Sequence, residues 1–226
     1  MNKSAAQKLF IPYVGEPLNS DNQDVCLKIR QNGVITLIDK INWSDYPNKP
    51  SVMLYAGYSA TYLWLLYEVK GDFFRAKALV DQEAVWKDAC VEFFISERVE
   101  SINDSQSVEE VIYRNFEFNA LGVCLSARGT TKQRKFLSPD EMKQILRFPG
   151  LTKQNMPEED AEFDWDLCVA IPLNLLGLQP GSTFKANFYK CGDLTLHPHF
   201  ISRSSIKSLS PNFHLPQFFG ETELVS

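Results

Sequence analysis

Cys90-Val91-Glu92-Phe93-Phe94-Ile95 alternates in the manner of a strand. Successive side chains on a strand point to opposite faces, so Val91, Phe93 and Ile95 share one face while Glu92 and Phe94 share the other. The rhythm returns in residues 113–120, where Arg114, Phe116 and Phe118 stand opposite Tyr113, Asn115, Glu117 and Asn119. Gly122 bends the chain into residues 123–127, so these two runs read as an antiparallel pair. Residues 34–38 form a short β-rich run after the turn-like Asn32-Gly33. Residues 52–58 and 62–69 read as a hairpin about Gly57-Tyr58-Ser59-Ala60. The second of these is almost wholly apolar, as in a central strand covered on both faces.

Residues 163–171 place Phe163, Trp165, Leu167 and Val169 on one face, and residues 183–189 and 218–224 are the last strand candidates. A helix is expected over 139–146, capped by Ser138 with Glu141 three residues on. Residues 172–177 allow a single turn, and polar residues 96–110 read as a surface loop. Strands at this spacing, without long helices between them, predict an all-β fold: a β-sandwich of two antiparallel sheets with short helices in its loops. No repeat or linker divides the chain, so residues 1–226 are expected to form one domain.

Composition narrows the function. The chain has 226 residues, 44% of them apolar and 12% aromatic, enough for a substantial core. A net charge of −5 without a basic run argues against nucleic acid, which needs a positive field. Apolar stretches are too short to span a bilayer. The five cysteines, Cys26, Cys90, Cys124, Cys168 and Cys191, are scattered and form no CxxC pair, so they read as buried free thiols. Residues 1–15 carry no signal-peptide pattern, which makes cytoplasmic residence the expectation. No P-loop, dinucleotide fingerprint, HExxH or nucleophile elbow is present. His197, His199 and His214 read as loop or interface histidines rather than metal ligands. Glu92 and Glu117 suit either the two carboxyl groups of a glycosidase or acceptors for sugar hydroxyls.

The stretch Trp86-Lys87-Asp88-Ala89-Cys90-Val91-Glu92-Phe93-Phe94-Ile95 resembles the family 9 carbohydrate-binding modules, in a divergent branch common in Bacteroidetes-type genomes. Residues 113–122, 186–193 and 211–220 agree in order, as does the region of Ile41-Asn42-Trp43. The resemblance implies a two-sheet sandwich, often with structural calcium, that holds glucose- or xylose-type mono- or oligosaccharides between two tryptophans. Such modules are often attached to glycoside hydrolases and are not themselves catalytic, and a secreted or periplasmic setting would follow. Carried onto this chain, Trp86 is the first ring, with Glu92, Arg114 and Asn119 as polar contacts. Arg203 stands where relatives have the second tryptophan, and Phe200 is the nearby substitute ring. Asp72, Asp88 and Asp193 are the candidate calcium ligands. The alternatives are a glycoside-active enzyme using Glu92 and Glu117, and an interaction domain with a degenerate sugar site.

Overall fold

A computed structural model describes residues 7–16, 22–96, 111–152 and 154–226. Most of the loop expected over 96–110 lies outside the described residues. Two sheets face each other. The larger runs β1 (Leu9–Pro12), β14 (Gly220–Val225), β12 (Thr183–Cys191), β6 (Cys90–Ser96), β7 (Tyr113–Asn119), β8 (Cys124–Gly129) and β9 (Arg134–Phe136). The short β13 (Phe200–Ser202) also pairs with β12 and carries β3 (Lys40–Ile41). The smaller sheet runs β10 (Leu146–Pro149), β11 (Glu162–Pro172), β5 (Tyr62–Phe73), β4 (Ser51–Tyr58) and β2 (Val34–Leu37). Pairing between these strands is antiparallel except for β1 on β14, which is parallel.

The alternation in the sequence becomes the sandwich directly. Val91, Phe93, Ile95, Phe116, Phe118 and Phe188 from the larger sheet meet Leu54, Leu65, Tyr67, Leu167 and Val169 from the smaller one in a buried core. Both sheets are also covered from outside. Trp43, Cys90, Phe94, Tyr113, Tyr189, Cys191, Phe213 and Phe219 form a second cluster on the outer face of the larger sheet. Cys26, Ile29, Trp64, Leu66 and Cys168 form a third behind the smaller sheet, under helix α1 (Asn22–Asn32). This double cover accounts for the apolar run in β5.

Gly122, at φ +77°, makes the turn between β7 and β8, its N–H donating to the Asn119 carbonyl at 2.8 Å. Helix α2 (Pro139–Met142) is a single turn carrying the expected capping box at Ser138 and Glu141. It stops short of the expected residue 146 because Leu146 enters β10 and pairs with Ala170. A turn at α3 (Leu173–Leu176) ends on Gly177 at φ +67°. Helix α1 was not expected. Among the described residues no helix is long and apolar enough to cross a membrane.

Candidate functional site

Cross-strand register assembles the floor of the site. Glu92 on β6 lies directly opposite Glu117 on β7 and, on its other side, opposite Tyr189 on β12. Cys90, two residues before Glu92 and so on the same face, lies opposite Cys191 and Asn119. Period two thus puts two carboxyl groups and two thiols together on the outer face of the larger sheet.

Above this floor is a cavity of about 320 Å³ lined by Trp86, Glu92, Glu117, Arg134, Cys191, Asp193, Phe200 and residues 211–214. A second cavity of about 380 Å³ shares Trp86, Glu117, Arg134 and His214 with it and extends over Thr131, Lys132 and Phe136. Trp86 is 37% exposed, whereas Glu92 and Glu117 are 2% and 3% exposed. An accessible indole therefore stands beside a floor of buried polar groups.

The loop carrying Trp86 is tied down on both sides. The N–H groups of Asp193 and Leu194 donate to the carbonyls of Trp86 and Lys87 at 3.3 and 3.2 Å. The Asp88 carboxylate accepts from the N–H groups of Lys77 and Ala78 at 3.1 and 3.0 Å and from Asn119 Nδ2 at 3.1 Å. Asn119 Oδ1 in turn accepts from the N–H groups of Leu121 and Val123. Asp88 and Asn119 hold the loop and the β7–β8 turn in place; neither lines the cavity.

Burial dominates the electrostatics. It pushes Glu92 well above the carboxylate range, with Glu117 adding to the effect. It pushes Glu117 up to about 8, although Arg134 and a 3.0 Å hydrogen bond from Asn115 Nδ2 act the other way. Asp193 is raised to about 6 by burial. His214 is lowered to about 3, first by burial and then by Arg134, so its imidazole is neutral. Arg134 Nη1 donates to His214 Nδ1 at 2.7 Å, and the ring stacks on Phe94 with centroids 4.9 Å apart.

Of the expected site residues, Trp86, Glu92 and Phe200 line the cavity, as do Glu117 and Asp193. Arg114 and Arg203 stand elsewhere, for one reason. Arg114 shares its strand face with Phe116 and Phe118, which belong to the core between the sheets. Arg203 follows Ile201 by two residues and points to the same inner side. Its Nε donates to Thr36 Oγ1 at 3.0 Å and its Nη2 to the Gln7 carbonyl at 2.8 Å. Asp72 is also internal: its Oδ2 lies 3.0 Å from Lys190 Nζ and accepts from Trp165 Nε1 at 2.9 Å, bridging the two sheets. Asp72 and Asp88 are thus occupied by N–H donors, and among the described residues Asp72, Asp88 and Asp193 form no metal-binding group. The group of three that could hold a metal ion is Cys90, Glu92 and Cys191.

Sequence reading missed Arg134, His214 and Cys191 as cavity residues. For Cys191 a signal was present, since the strand containing Tyr189 continues in phase to residue 191. Arg134 and His214 come from segments without alternation, and only tertiary packing brings them in.

Known proteins give the family of the chain. The model for carbohydrate-binding family 9 matches residues 21–224. A crystal structure from Bacteroides uniformis, described as a carbohydrate-binding protein, shares 32% identity over 96% of this chain and 99% of its own, with a TM-score of 0.80. Two structures of a family 9 carbohydrate-binding module from Caldicellulosiruptor kristjanssonii, complexed with cellotriose and with glucose, share the fold at TM-scores of 0.60. Their identities are 13% and 14%, over 97% and 96% of this chain and 94% and 95% of theirs. Comparison with curated proteins gave no match. From the family match and the 32% identical relative, the chain belongs to carbohydrate-binding family 9.

Proposed function

We propose that the chain holds a neutral mono- or oligosaccharide of the glucose or xylose type against Trp86, as a non-catalytic module serving polysaccharide degradation. The observation that carries this reading is the exposed indole of Trp86 beside the buried carboxyl pair Glu92 and Glu117 in one cavity. A flat ring covers the C–H face of a pyranose, while oxygen and nitrogen groups satisfy its hydroxyl edge. Protonated carboxyl groups both donate and accept hydrogen bonds, which matches the dual character of a hydroxyl. At about 320 Å³ the cavity sits at the small end of the roughly 300–1,000 Å³ range of small-molecule sites, and the adjoining cavity gives room for further sugar units. The relative from Caldicellulosiruptor kristjanssonii, bound to cellotriose or glucose, supports the sugar type.

Neutral sugars are favoured over uronic acids. The burial that keeps Glu92 and Glu117 protonated equally penalises a sugar carboxylate placed on this floor, and Asp193 lines the cavity beside them. The same arrangement disfavours hydrolysis. A glycosidase sets its carboxyl groups on either side of the scissile bond, whereas Glu92 and Glu117 are cross-strand neighbours on one floor.

The test is isothermal titration with glucose, xylose, cello- and xylo-oligosaccharides and glucuronic acid, repeated on Trp86→Ala. Binding of neutral sugars, weakened about tenfold or more in Trp86→Ala, is expected. Undiminished binding in that variant, or a preference for glucuronic acid, would overturn the reading.

A further inference from the structure

Cys90 and Cys191 are directly opposed across β6 and β12, and Glu92 follows Cys90 on the same face. All three are buried, and their ligand atoms lie within 4.8 Å of one another. Cys191 Sγ donates to Glu92 Oε1 at 3.0 Å. Among the described residues Glu92 forms no ion pair, so its closest polar partner is a thiol. Two sulfurs and one oxygen gathered at a cavity floor are more than core packing requires.

We propose that Cys90, Cys191 and Glu92 form a site for a thiophilic divalent cation of the zinc and cadmium type. The donor set decides the class: thiolates select such soft or borderline ions, whereas calcium needs six to eight oxygens. Glu92 and Cys191 also line the 320 Å³ cavity, which gives the ion an entry path and leaves its remaining coordination position facing the cavity. Binding forms two metal–sulfur bonds and one metal–oxygen bond. The two thiol protons and the carboxyl proton pass to solvent, and nothing is oxidised or reduced. A consequence that rests on the saccharide reading follows: Glu92 serves either the ion or the sugar, so each weakens the other by the same factor.

Cadmium titration of the full chain under reducing conditions tests the site, read by the ultraviolet charge-transfer band of cadmium thiolate. The chain holds a second thiol pair, Cys26 and Cys168, so variants must separate the two. The expected result is a band that saturates at one equivalent, survives in Cys26→Ser, and is lost in Cys191→Ser and in Cys90→Ser. Circular dichroism on each variant checks folding. Glu92→Gln retains both thiols and guards against a misfolded serine variant; there the band persists while affinity falls about tenfold. A band lost in Cys26→Ser but kept in Cys191→Ser, or no band in the unaltered chain, overturns the site. Sugar titration with and without cadmium then reads the coupling, expected at about tenfold. Equal sugar affinity in both states refutes the shared use of Glu92. A metal-free chain that binds no sugar refutes the saccharide reading and leaves the cadmium result standing.

Discussion

Glu117 is 3% exposed and among the described residues forms no ion pair; the Asn115 amide donates to it at 3.0 Å. Its carboxyl group therefore holds its proton near neutrality, which makes Glu117→Gln a near-isosteric replacement. Full retention of folding is expected for this variant, with sugar affinity within a few-fold at pH 6.5, measured by titration calorimetry. Arg203 poses the opposite case. Its guanidinium ties β2 and the segment before β1 to β13 through Thr36 and the Gln7 carbonyl. Arg203→Ala is expected to cost about 1.5–3 kcal/mol in denaturant unfolding, the range for hydrogen bonds to a charged group, while sugar binding stays unchanged. Weakened sugar binding without loss of stability would contradict this placement. The parity of β7 was legible in the sequence: Arg114 falls on the side of Phe116 and Phe118, opposite Glu117. A resemblance-based assignment set that parity aside, and the structure restores it.

At the scale of elements, long alternating strands were legible and elements made by tertiary contact were not. β6, β7 and β11 each carry an apolar face that fixes both type and register. Helix α1 carries only a narrow stripe: Cys26 and Ile29 are buried, while Leu27 is 51% exposed. It is held by packing on the smaller sheet and by Arg30, which reaches Glu68 at 2.5 Å and Asp166 at 2.9 Å. Such a helix has little signal of its own. Its end depends on Gly33, where an added Cβ would stand 2.7 Å from the Ile29 carbonyl oxygen and 2.9 Å from that of Ala56. Both are backbone atoms and cannot swing aside. Gly33→Ala should therefore destabilise the protein by about 1–3 kcal/mol, the usual cost of overpacking, in thermal or denaturant unfolding. An unchanged midpoint would mean that α1 does not rest against β4 as described.

Among the described residues, desolvated histidines and buried glutamates respond to pH in opposite directions. His199, buried with Asp72 and Lys190 between the sheets, is lowered to about 3 chiefly by burial, as is His214 at the sugar cavity. In each case the unfolded state takes up its proton first as pH falls below 6.5, so these histidines erode stability only on the acid side. Glu92 and Glu117 do the reverse. Their folded-state values are raised, Glu117 to about 8, so the unfolded state ionises first and stability falls as pH rises from about 4.5 through 8. At pH 6.5 the unfolded histidines are still half protonated, so their residual loss of protons offsets part of the carboxyl effect up to about pH 7.5, above which they are neutral in both states. Between pH 6.5 and 8 Glu117 by itself should remove on the order of 1–2 kcal/mol, close to one proton's worth of slope over most of the window, with Glu92 adding to it. The melting temperature is therefore expected to drop across this window, and to drop less in Glu117→Gln, whose stability should exceed that of the unaltered chain at pH 8. A flat profile from pH 6.5 to 8, or equal slopes in the two proteins, would show that Glu117 ionises freely in the folded state. The buried carboxyl floor beneath Trp86 would then have to be open to water.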